Sequence, residues 1–386
     1  TAGQGKKLTL ELGGKSAFVV FEDADLDAAV EGLVDSIWFN QGEVCCAGSR
    51  LLVQAKVTDK LHAKIKKRIQ KLRLGLPLDK STDLGSLVSQ TQYQRVDQMV
   101  QQGLQQGGEL FQAYDGQSEG NYYPPSLITE IDASHPLAQE EIFGPVLVSM
   151  TFRTQTEAVA LANNSRYGLA ASIWSENINR AMDVAPKLKA GVIWINCHNQ
   201  FDASCGFGGV RESGFGREGG KEGLYEYLKP KSLTHTKKLK PVTVKQQLSN
   251  NETIDRTLKF YIGGKQVRPD GGHSIATYKA DGSLASLVGS GNRKDIRNAV
   301  SAAIKANAWS SQNGHIRAQI IYFLAENLAL RESEWIKRLQ DLCGVTNKEA
   351  KTEFNASLSR LFSYAAWSDK YDGAVHNAPY RGVTMA

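Results

Sequence analysis

The chain has 386 residues, 41% hydrophobic and 22% charged, with 46 basic against 40 acidic residues and a formal net charge of +6. These proportions are ordinary for a soluble globular protein, and the length allows two or three compact units. The mild basic balance, without an arginine-rich or aromatic-interleaved patch, argues against a nucleic-acid partner. No apolar stretch reaches the roughly 18 residues of a membrane span, so the sequence predicts no membrane partner.

The first half of the sequence alternates between predicted strands and helices. A turn at Gly13-Gly14 precedes an apolar strand at residues 17–21, and Asp25 is placed to cap a helix that ends at residue 39. Further extended segments are predicted at residues 51–53, 122–131, 146–152 and 191–196, and helices at residues 58–74, 91–106, 156–163 and 178–188. This alternation is typical of an α/β fold with a mainly parallel sheet. The glycine-dense stretch 206–219 predicts a tight, irregular crossover.

The second half of the sequence begins after a change of composition. Residues 236–257 are rich in Lys, Gln and Asn and have no clear apolar face, which predicts a linker. A hairpin signal at residues 260–265 and strand candidates at 275–287 open a new unit. Four helices are predicted after them, at residues 292–308, 315–330, 332–342 and 348–369.

The cysteines have no regular spacing. There are five of them, an odd number without a CxxC pair: Cys45, Cys46, Cys197, Cys205 and Cys343. This pattern predicts neither a disulfide framework nor a metal site. A reducing, cytoplasmic compartment fits it best.

The vicinal pair Cys45-Cys46 is the first candidate for chemistry. It follows a glycine-containing bend at residues 40–44 and precedes the predicted strand 51–53, so a thiol here is presented at a junction between elements. Nearby backbone N–H groups can lower a thiol pKa and make a nucleophilic thiolate. The alternative is that both cysteines are small apolar core residues, because free cysteine is among the most buried residue types.

Four segments resemble motifs of the aldehyde dehydrogenase superfamily, in the expected order and spacing. They are Leu-Glu-Leu-Gly-Gly-Lys-Ser at 10–16, Asn-Gln-Gly-Glu-Val-Cys-Cys-Ala-Gly-Ser-Arg at 40–50, Glu-Glu-Ile-Phe-Gly-Pro-Val at 140–146, and Phe-Gly-Gly-Val-Arg-Glu-Ser-Gly at 207–214. The resemblance covers residues 1 to about 235. It implies the rear, catalytic half of such a unit over residues 1–235.

In the chemistry that this resemblance implies, aldehydes are oxidised to carboxylic acids with NAD or NADP. Cys45 would attack the aldehyde, passing through a thiohemiacetal and a thioester, and Glu11 would be the general base for the hydrolytic water. The alternative for Glu11 is a surface or helix-capping carboxylate. The implied partner is a small aldehyde, and a homo-oligomer is expected.

The resemblance also assigns cofactor and substrate contacts. Glu141 would accept hydrogen bonds from the nicotinamide ribose, and Phe143 would pack beside the nicotinamide ring. Their alternatives are a solvated acidic turn and a core aromatic residue. Asn196 resembles a family asparagine in the vicinity of the substrate and the oxyanion, but it could equally cap a turn.

Two positions depart from the family pattern. Glu43 stands where glutamine is more usual, and its charge could raise the pKa of the nearby thiol. Gly206 replaces a proline and would loosen the loop before the Phe-Gly-Gly turn. A catalytically weak or inactive scaffold is therefore the alternative to an enzyme.

Residues 258–386 resemble the amino-terminal part of a second aldehyde dehydrogenase unit, including Ala-Trp-Ser-Asp-Lys-Tyr-Asp-Gly at 366–373. This order is most similar to the tandem-domain, family 16 type, and implies that the chain is a fragment of such a protein. A circularly permuted single unit is the alternative. No glycine-rich dinucleotide fingerprint follows a strand, so we expect the isolated chain to bind NAD poorly.

Overall fold

The computed structural model describes residues 6–114, 120–228, 257–371, 373–377 and 384–385. The chain divides into two compact units, one of residues 1–234 with 375–386 and the other of residues 235–374. The predicted linker 236–257 lies outside the described residues except for Thr257.

The first unit is built on a seven-stranded sheet. Its strands and those of a small separate ladder are, in chain order, β1 (Leu10–Glu11), β2 (Ala17–Val20), β3 (Arg50–Gln54), β4 (Glu109–Gln112), β5 (Ser126–Thr129), β6 (Val146–Phe152), β7 (Ala170–Trp174), β8 (Val192–Ile195) and β9 (Gly214–Phe215). The spatial order is β4-β5-β6-β3-β2-β7-β8, parallel throughout except for the β4–β5 pair. The predicted mainly parallel sheet is confirmed.

Helices cover this sheet, and both of its faces are buried. The helices are α1 (Leu26–Leu33), α2 (Thr58–Ile69), α3 (Gln90–Gln105), α4 (Pro136–Gln139), α5 (Gln155–Asn163), α6 (Ile178–Val184) and α7 (Gly220–Glu226). Alternate residues of β2 enter different apolar clusters: Phe18 packs with Leu33 and Leu51, whereas Val19 packs with Leu52 and Ile173. A central parallel strand therefore reads as a continuous apolar run.

The observed elements follow most of the predicted ones, with differences at element ends and in short elements such as α4 and α7, which were not predicted. Asp25 caps α1 as predicted, accepting from the N–H groups of Asp27 and Ala28, but the helix changes to a π turn at Val34–Trp38 before the predicted end. The strands β4 and β7 were not predicted, because their short sequences lack a recognisable alternation. β7 is nevertheless fully buried between β2 and β8.

The second unit contains two hairpins followed by helices. Its elements are β10 (Phe260–Ile262), β11 (Lys265–Val267), β12 (Ser274–Tyr278), β13 (Leu284–Gly289), α8 (Arg293–Lys305), α9 (Asn307–Ser311), α10 (Gly314–Ala329), α11 (Glu332–Cys343) and α12 (Asn347–Lys370). Small residues such as Ala318, Ala325 and Ala350 are buried in the helical part. A short ladder that belongs to the first unit, β14 (His376–Asn377) with β15 (Thr384–Met385), ends the described chain.

The described residues contain neither a candidate membrane span nor a candidate metal cluster. None of the helices there combines the length and apolar character needed to cross a bilayer. The same part of the chain holds no group of three or more His, Cys, Asp or Glu side chains placed to bind a metal ion.

Candidate active site

The glutamate motif is joined to the late glycine turn by a two-stranded ladder. Glu11 of β1 lies opposite Gly214 of β9 in the antiparallel register. A further backbone bond extends the ladder, since Leu12 N–H donates to Ser213 O at 3.1 Å, and the side chain of Ser213 adds a bond from its Oγ to Gly13 O at 2.7 Å. Two motifs 200 residues apart thus form one structure.

The Gly13-Gly14 segment joins this ladder to two other motifs, and the turn predicted there is not present as a regular turn in the structure. Gly14 N–H donates to Glu141 Oε1 at 2.9 Å, and a β-carbon at Gly13 would overlap the same carboxylate. A β-carbon at Gly14 would stand 2.5 Å from the carbonyl oxygen of Cys45. Both positions therefore require glycine because of close approach. The structure brings Glu11, Cys45 and Glu141 together around this segment.

A strained bend presents Cys45. After the π turn, Asn40, Gln41 and Gly42 have φ values of 49°, 56° and 73°, in the left-handed region. A β-carbon at Gly42 would overlap the carbonyl of Gly144, so the bend is packed directly on the loop that carries Glu141. Strained backbone of this kind persists only where surrounding contacts hold it, and such places are often functional sites.

The pKa of Cys45 lies well below the usual thiol value. The largest cause is the adjacent Cys46 thiol, and the backbone N–H groups of Cys46 and Cys45 act in the same direction. Partial burial and the charge of Glu11 oppose this shift. The thiolate is the nucleophilic form, so this environment suits a nucleophile near neutral pH.

Glu11 is a buried carboxylate without a partner. Neither carboxylate oxygen has a hydrogen-bond partner among the described residues, and a β-carbon at Gly208 would stand 2.8 Å from Oε1. Burial raises the pKa of Glu11, the charge of Glu218 raises it further, and Arg217 lowers it. A carboxylate with these properties is suited to take a proton from water.

Glu141 and Phe143 line a small cleft together with Gly14, Gly42 and Val44. Burial raises the pKa of Glu141, and the Gly14 N–H and the charges of Lys15 and Arg95 oppose the rise. Phe143 is partly buried with φ at 59°, and its carbonyl accepts from Gln92 Nε2 at 2.7 Å. The cleft has a volume of only about 10 Å³, close to that of one water molecule, so the predicted cofactor roles of Glu141 and Phe143 stay predictions.

Asn196 is engaged with the backbone of Ser175. Its Oδ1 accepts from Ser175 N–H at 3.0 Å, and its Nδ2 donates to Ser175 O at 3.0 Å. With φ at 51°, the residue ends β8 in a left-handed turn. These contacts fit the turn-capping alternative, and a role near the oxyanion stays a prediction.

Sequence reasoning missed the surroundings of Cys46. A cluster of Cys46, Leu169, Ala170 and Trp194 is buried beside Cys45, with Phe207 packed against it. Cys46 Sγ donates to Asn199 Oδ1 at 3.4 Å. The sequence signal that could have indicated this cluster is the group of aromatic residues between 194 and 207. In the structure, Phe201 lies edge-on to both Trp194 and Phe207.

The two departures from the family pattern have defined surroundings. The carboxylate of Glu43 accepts from Val88 N–H at 3.1 and 3.2 Å, while the carboxylate that raises the pKa of Cys45 is Glu11. The loop after Gly206 is closed by reciprocal hydrogen bonds between Phe207 and Glu218, at 2.7 and 2.8 Å. Both features leave the Cys45 and Glu11 arrangement in place.

The fold and this site agree with the comparisons with known proteins. The model of the aldehyde dehydrogenase family matches residues 1–233 and again 269–385, and the chain belongs to this family. An aldehyde dehydrogenase of Emericella nidulans is 42% identical over 229 residues, which are 59% of this chain and 46% of that protein. The chain therefore spans about half the length of the curated relatives that it matches.

Solved structures are similar over a comparable share of the chain. Betaine aldehyde dehydrogenase from Staphylococcus aureus in complex with NAD+ is 38% identical with a TM-score of 0.57, covering 58% of this chain and 46% of that one. The NAD-dependent aldehyde dehydrogenase from Sinorhizobium meliloti is 40% identical with a TM-score of 0.57, covering 58% and 45%.

Proposed function

We propose that the protein oxidises aldehydes to carboxylic acids with NAD or NADP, and that this chain supplies the nucleophile Cys45 and the general base Glu11. The observation that carries the proposal is the pairing of an activated thiol with a buried, unpartnered carboxylate on either side of the Gly13-Gly14 segment. Family membership and the nicotinamide-dependent relatives support the same chemistry.

Cys45 begins the reaction. Its thiolate attacks the carbonyl carbon of the aldehyde, a C–S bond forms, and the π electron pair moves to oxygen to give a thiohemiacetal oxyanion. The backbone N–H groups of Cys45 and Cys46 lie at the thiol and are available as donors there. Donors aimed at developing negative charge lower the barrier of such additions.

The residues proposed to hold the cofactor lie on the loop that packs against the nucleophile bend. Glu141 would hold the ribose hydroxyls and Phe143 the nicotinamide ring, since Glu141 accepts from Gly14 N–H and both residues lie close to Val44. When bound, the oxidised nicotinamide accepts the hydride that leaves the substrate carbon. The product on the protein is a thioester of Cys45.

Glu11 completes the cycle. Its carboxylate takes a proton from water, the oxygen of that water bonds to the thioester carbon, and the C–S bond breaks to restore the Cys45 thiolate. The acid leaves, and the proton passes from Glu11 to solvent. The raised pKa of Glu11 makes it a stronger base than an ordinary carboxylate.

Hydrolysis of p-nitrophenyl acetate separates the two roles because it requires the thiolate and the base but no cofactor. For the full chain we expect a stoichiometric burst of p-nitrophenol followed by slow turnover. Cys45→Ser removes the burst, and Glu11→Gln keeps the burst but slows turnover by about 100-fold. Cys343→Ser, on the exposed thiol of α11, is the matched control and leaves both phases unchanged.

The outcomes of this assay distinguish a catalytic enzyme from a catalytically weak or inactive scaffold. A burst that survives Cys45→Ser would assign the reaction to another group. Absence of a burst in the folded wild-type chain would favour the scaffold alternative. Equal turnover in wild type and Glu11→Gln would remove Glu11 as the base.

We also propose a tandem arrangement of the family 16 type, with a catalytic half at 1–235, a linker at 236–257 and the amino-terminal part of a second unit at 258–386. The second match to the family model, at 269–385, supports it. Fragment status, a homo-oligomer, a small aldehyde as substrate and a cytoplasmic location belong to the same proposal. The five free thiols support a reducing compartment.

A further inference from the structure

The bend before Cys45 is held in an unfavourable backbone conformation. Asn40 and Gln41 have φ values of 49° and 56°, in the left-handed region where residues other than glycine are uncommon. Such residues persist only where surrounding contacts compensate for the strain. The contacts that hold this bend therefore decide where the Cys45 thiol lies.

Two side chains of the bend bond to the backbone of one segment, residues 85–88. Gln41 Oε1 accepts from Gly85 N–H at 3.1 Å. The Glu43 carboxylate accepts from Val88 N–H, at 3.2 Å to Oε1 and 3.1 Å to Oε2. Because Glu43 is only two residues before the nucleophile, its bond acts almost directly on the position of the thiol.

Residues 85–88 are themselves fixed to the protein core. The side chain of Leu87 is 2% exposed and packs in the apolar cluster that contains Val96 of α3 and Ile142. The N–H of Leu87 also donates to Asn121 O at 3.0 Å. The bend is therefore bonded to backbone that buried packing holds in place.

The helix that follows, α3, holds the loop proposed to contact the cofactor. Gln92 Nε2 donates to Phe143 O at 2.7 Å, and Arg95 Nη2 donates to Glu141 O at 3.1 Å. One continuous stretch, residues 85–95, therefore bonds to the nucleophile bend at one end and to this loop at the other.

We propose that Gln41 and Glu43 are positioning residues for the nucleophile Cys45. Their bonds to residues 85–88 hold the left-handed bend and so set where the thiol lies relative to the loop that carries Glu141. The inference rests on the proposed function in taking Cys45 as the nucleophile. It gives Glu43, which departs from the family pattern, a role that glutamine can share, because either side chain offers an acceptor oxygen at the same reach.

Ester attack and alkylation distinguish the position of the thiol from its reactivity. Addition of Cys45 to p-nitrophenyl acetate forms an oxyanion that needs aligned donors, whereas alkylation by iodoacetamide displaces iodide and forms no oxyanion. Both rates are measured in the full chain on the alkaline plateaus of their pH profiles, where the thiolate is fully formed. Glu43→Ala and Gln41→Ala should slow the ester burst by about tenfold and change alkylation, located on Cys45 by mass spectrometry, by less than about twofold.

Glu43→Gln is the conservative variant and should restore a burst rate close to that of wild type. Glu157→Ala is the matched control, because Glu157 also accepts from a backbone N–H, that of Arg153 at 2.7 Å, but lies in the first turn of α5. It should leave both rates unchanged. An unchanged burst rate in either alanine variant would overturn the role of that residue. Equal slowing of ester attack and alkylation, or equal slowing in Glu43→Ala and Glu43→Gln, would overturn positioning through this bond.

Hydrogen–deuterium exchange tests the bend without any reaction. Glu43→Ala should speed exchange of the backbone amides in residues 40–46 and 85–88, whereas Glu43→Gln and Glu157→Ala should not. If the wild-type chain gives no ester burst, the proposed function fails, but exchange still reports whether these bonds hold the bend. Wild-type exchange over residues 40–46 in Glu43→Ala would overturn the proposal.

Discussion

The carbonyl oxygen of Cys45 lies against the α-carbon of Gly14, where a β-carbon would stand 2.5 Å from that oxygen and 3.2 Å from the Leu169 side chain. The N–H of the same glycine donates to Glu141 at 2.9 Å. One residue thus sets the spacing between the nucleophile bend and the carboxylate proposed to hold the cofactor. Neither the Cys45 backbone nor buried Leu169 can move without disturbing the site.

Gly14→Ala should therefore damage both stability and chemistry. The added methyl group must displace backbone, which costs about 1–3 kcal/mol in a well-packed interior. A shifted Cys45 should slow the ester burst by at least about tenfold. Urea unfolding and the burst rate check the two effects, and a variant with wild-type values for both would contradict the contact.

Gly206→Ala should have the opposite effect on stability. Its β-carbon would find its nearest neighbour, Glu222 Oε2, at 3.4 Å, an ordinary contact with a flexible side chain. The unfolded chain loses freedom without a clash, so we expect a gain of about 0.4–1 kcal/mol in urea unfolding. Gly208→Ala is the comparison, because its β-carbon would stand 2.8 Å from Glu11 Oε1. A loss of stability in Gly206→Ala similar to that of Gly208→Ala would contradict the expectation.

The two glycine contacts also mark what the sequence could predict. The resemblance of its motifs to those of the aldehyde dehydrogenase family named Glu11, Cys45 and Glu141, and the three residues lie around the Gly13-Gly14 segment. The contact between Cys46 and Asn199 spans 153 residues and depends on a left-handed residue after β8, which no local pattern specifies. β7 was missed for a similar reason: its Ala-Ala-Ser-Ile-Trp sequence becomes a strand through its neighbours β2 and β8.

Glu218→Gln should lower the pKa of Glu11, since the charge of Glu218 contributes to its elevation. The turnover phase of ester hydrolysis requires ionised Glu11, so its acidic limb should move to lower pH while the burst profile stays in place. Glu222→Gln serves as the control on the same segment. An acidic limb that stays fixed in Glu218→Gln would mean that burial alone raises the pKa of Glu11.

Lys15 is the least expected charge in the first unit. Its side chain is 1% exposed, and its Nζ has no hydrogen-bond partner among the described residues. Burial first, and then the charge of Arg50, lower the pKa of Lys15 to about 7, while Glu141 opposes the shift. The folded protein therefore holds this amine more readily in its neutral form.

The sign of the resulting pH dependence follows from proton binding. Between pH 7 and the unfolded value of 10.5, the unfolded chain binds the Lys15 proton and the folded chain does not, so the free energy of unfolding rises with pH. The cost of charging Lys15 is fully present below pH 7. Lys15→Met removes the titrating group. The difference in free energy of unfolding, variant minus wild type, should be greatest near neutral pH. Above neutral pH this difference should decrease by up to about 1.4 kcal/mol per pH unit.

Urea unfolding at several pH values between neutrality and the unfolded pKa of lysine measures this difference. Lys71→Met, on an exposed lysine, is the control and should give a curve parallel to that of wild type. Parallel curves for Lys15→Met and wild type would mean that Lys15 stays charged in the folded protein, in which case Glu141 outweighs burial. If the two stability curves instead converge as the pH rises, Lys15 is neutral in the folded protein, next to the Gly13-Gly14 segment that contacts both Cys45 and Glu141.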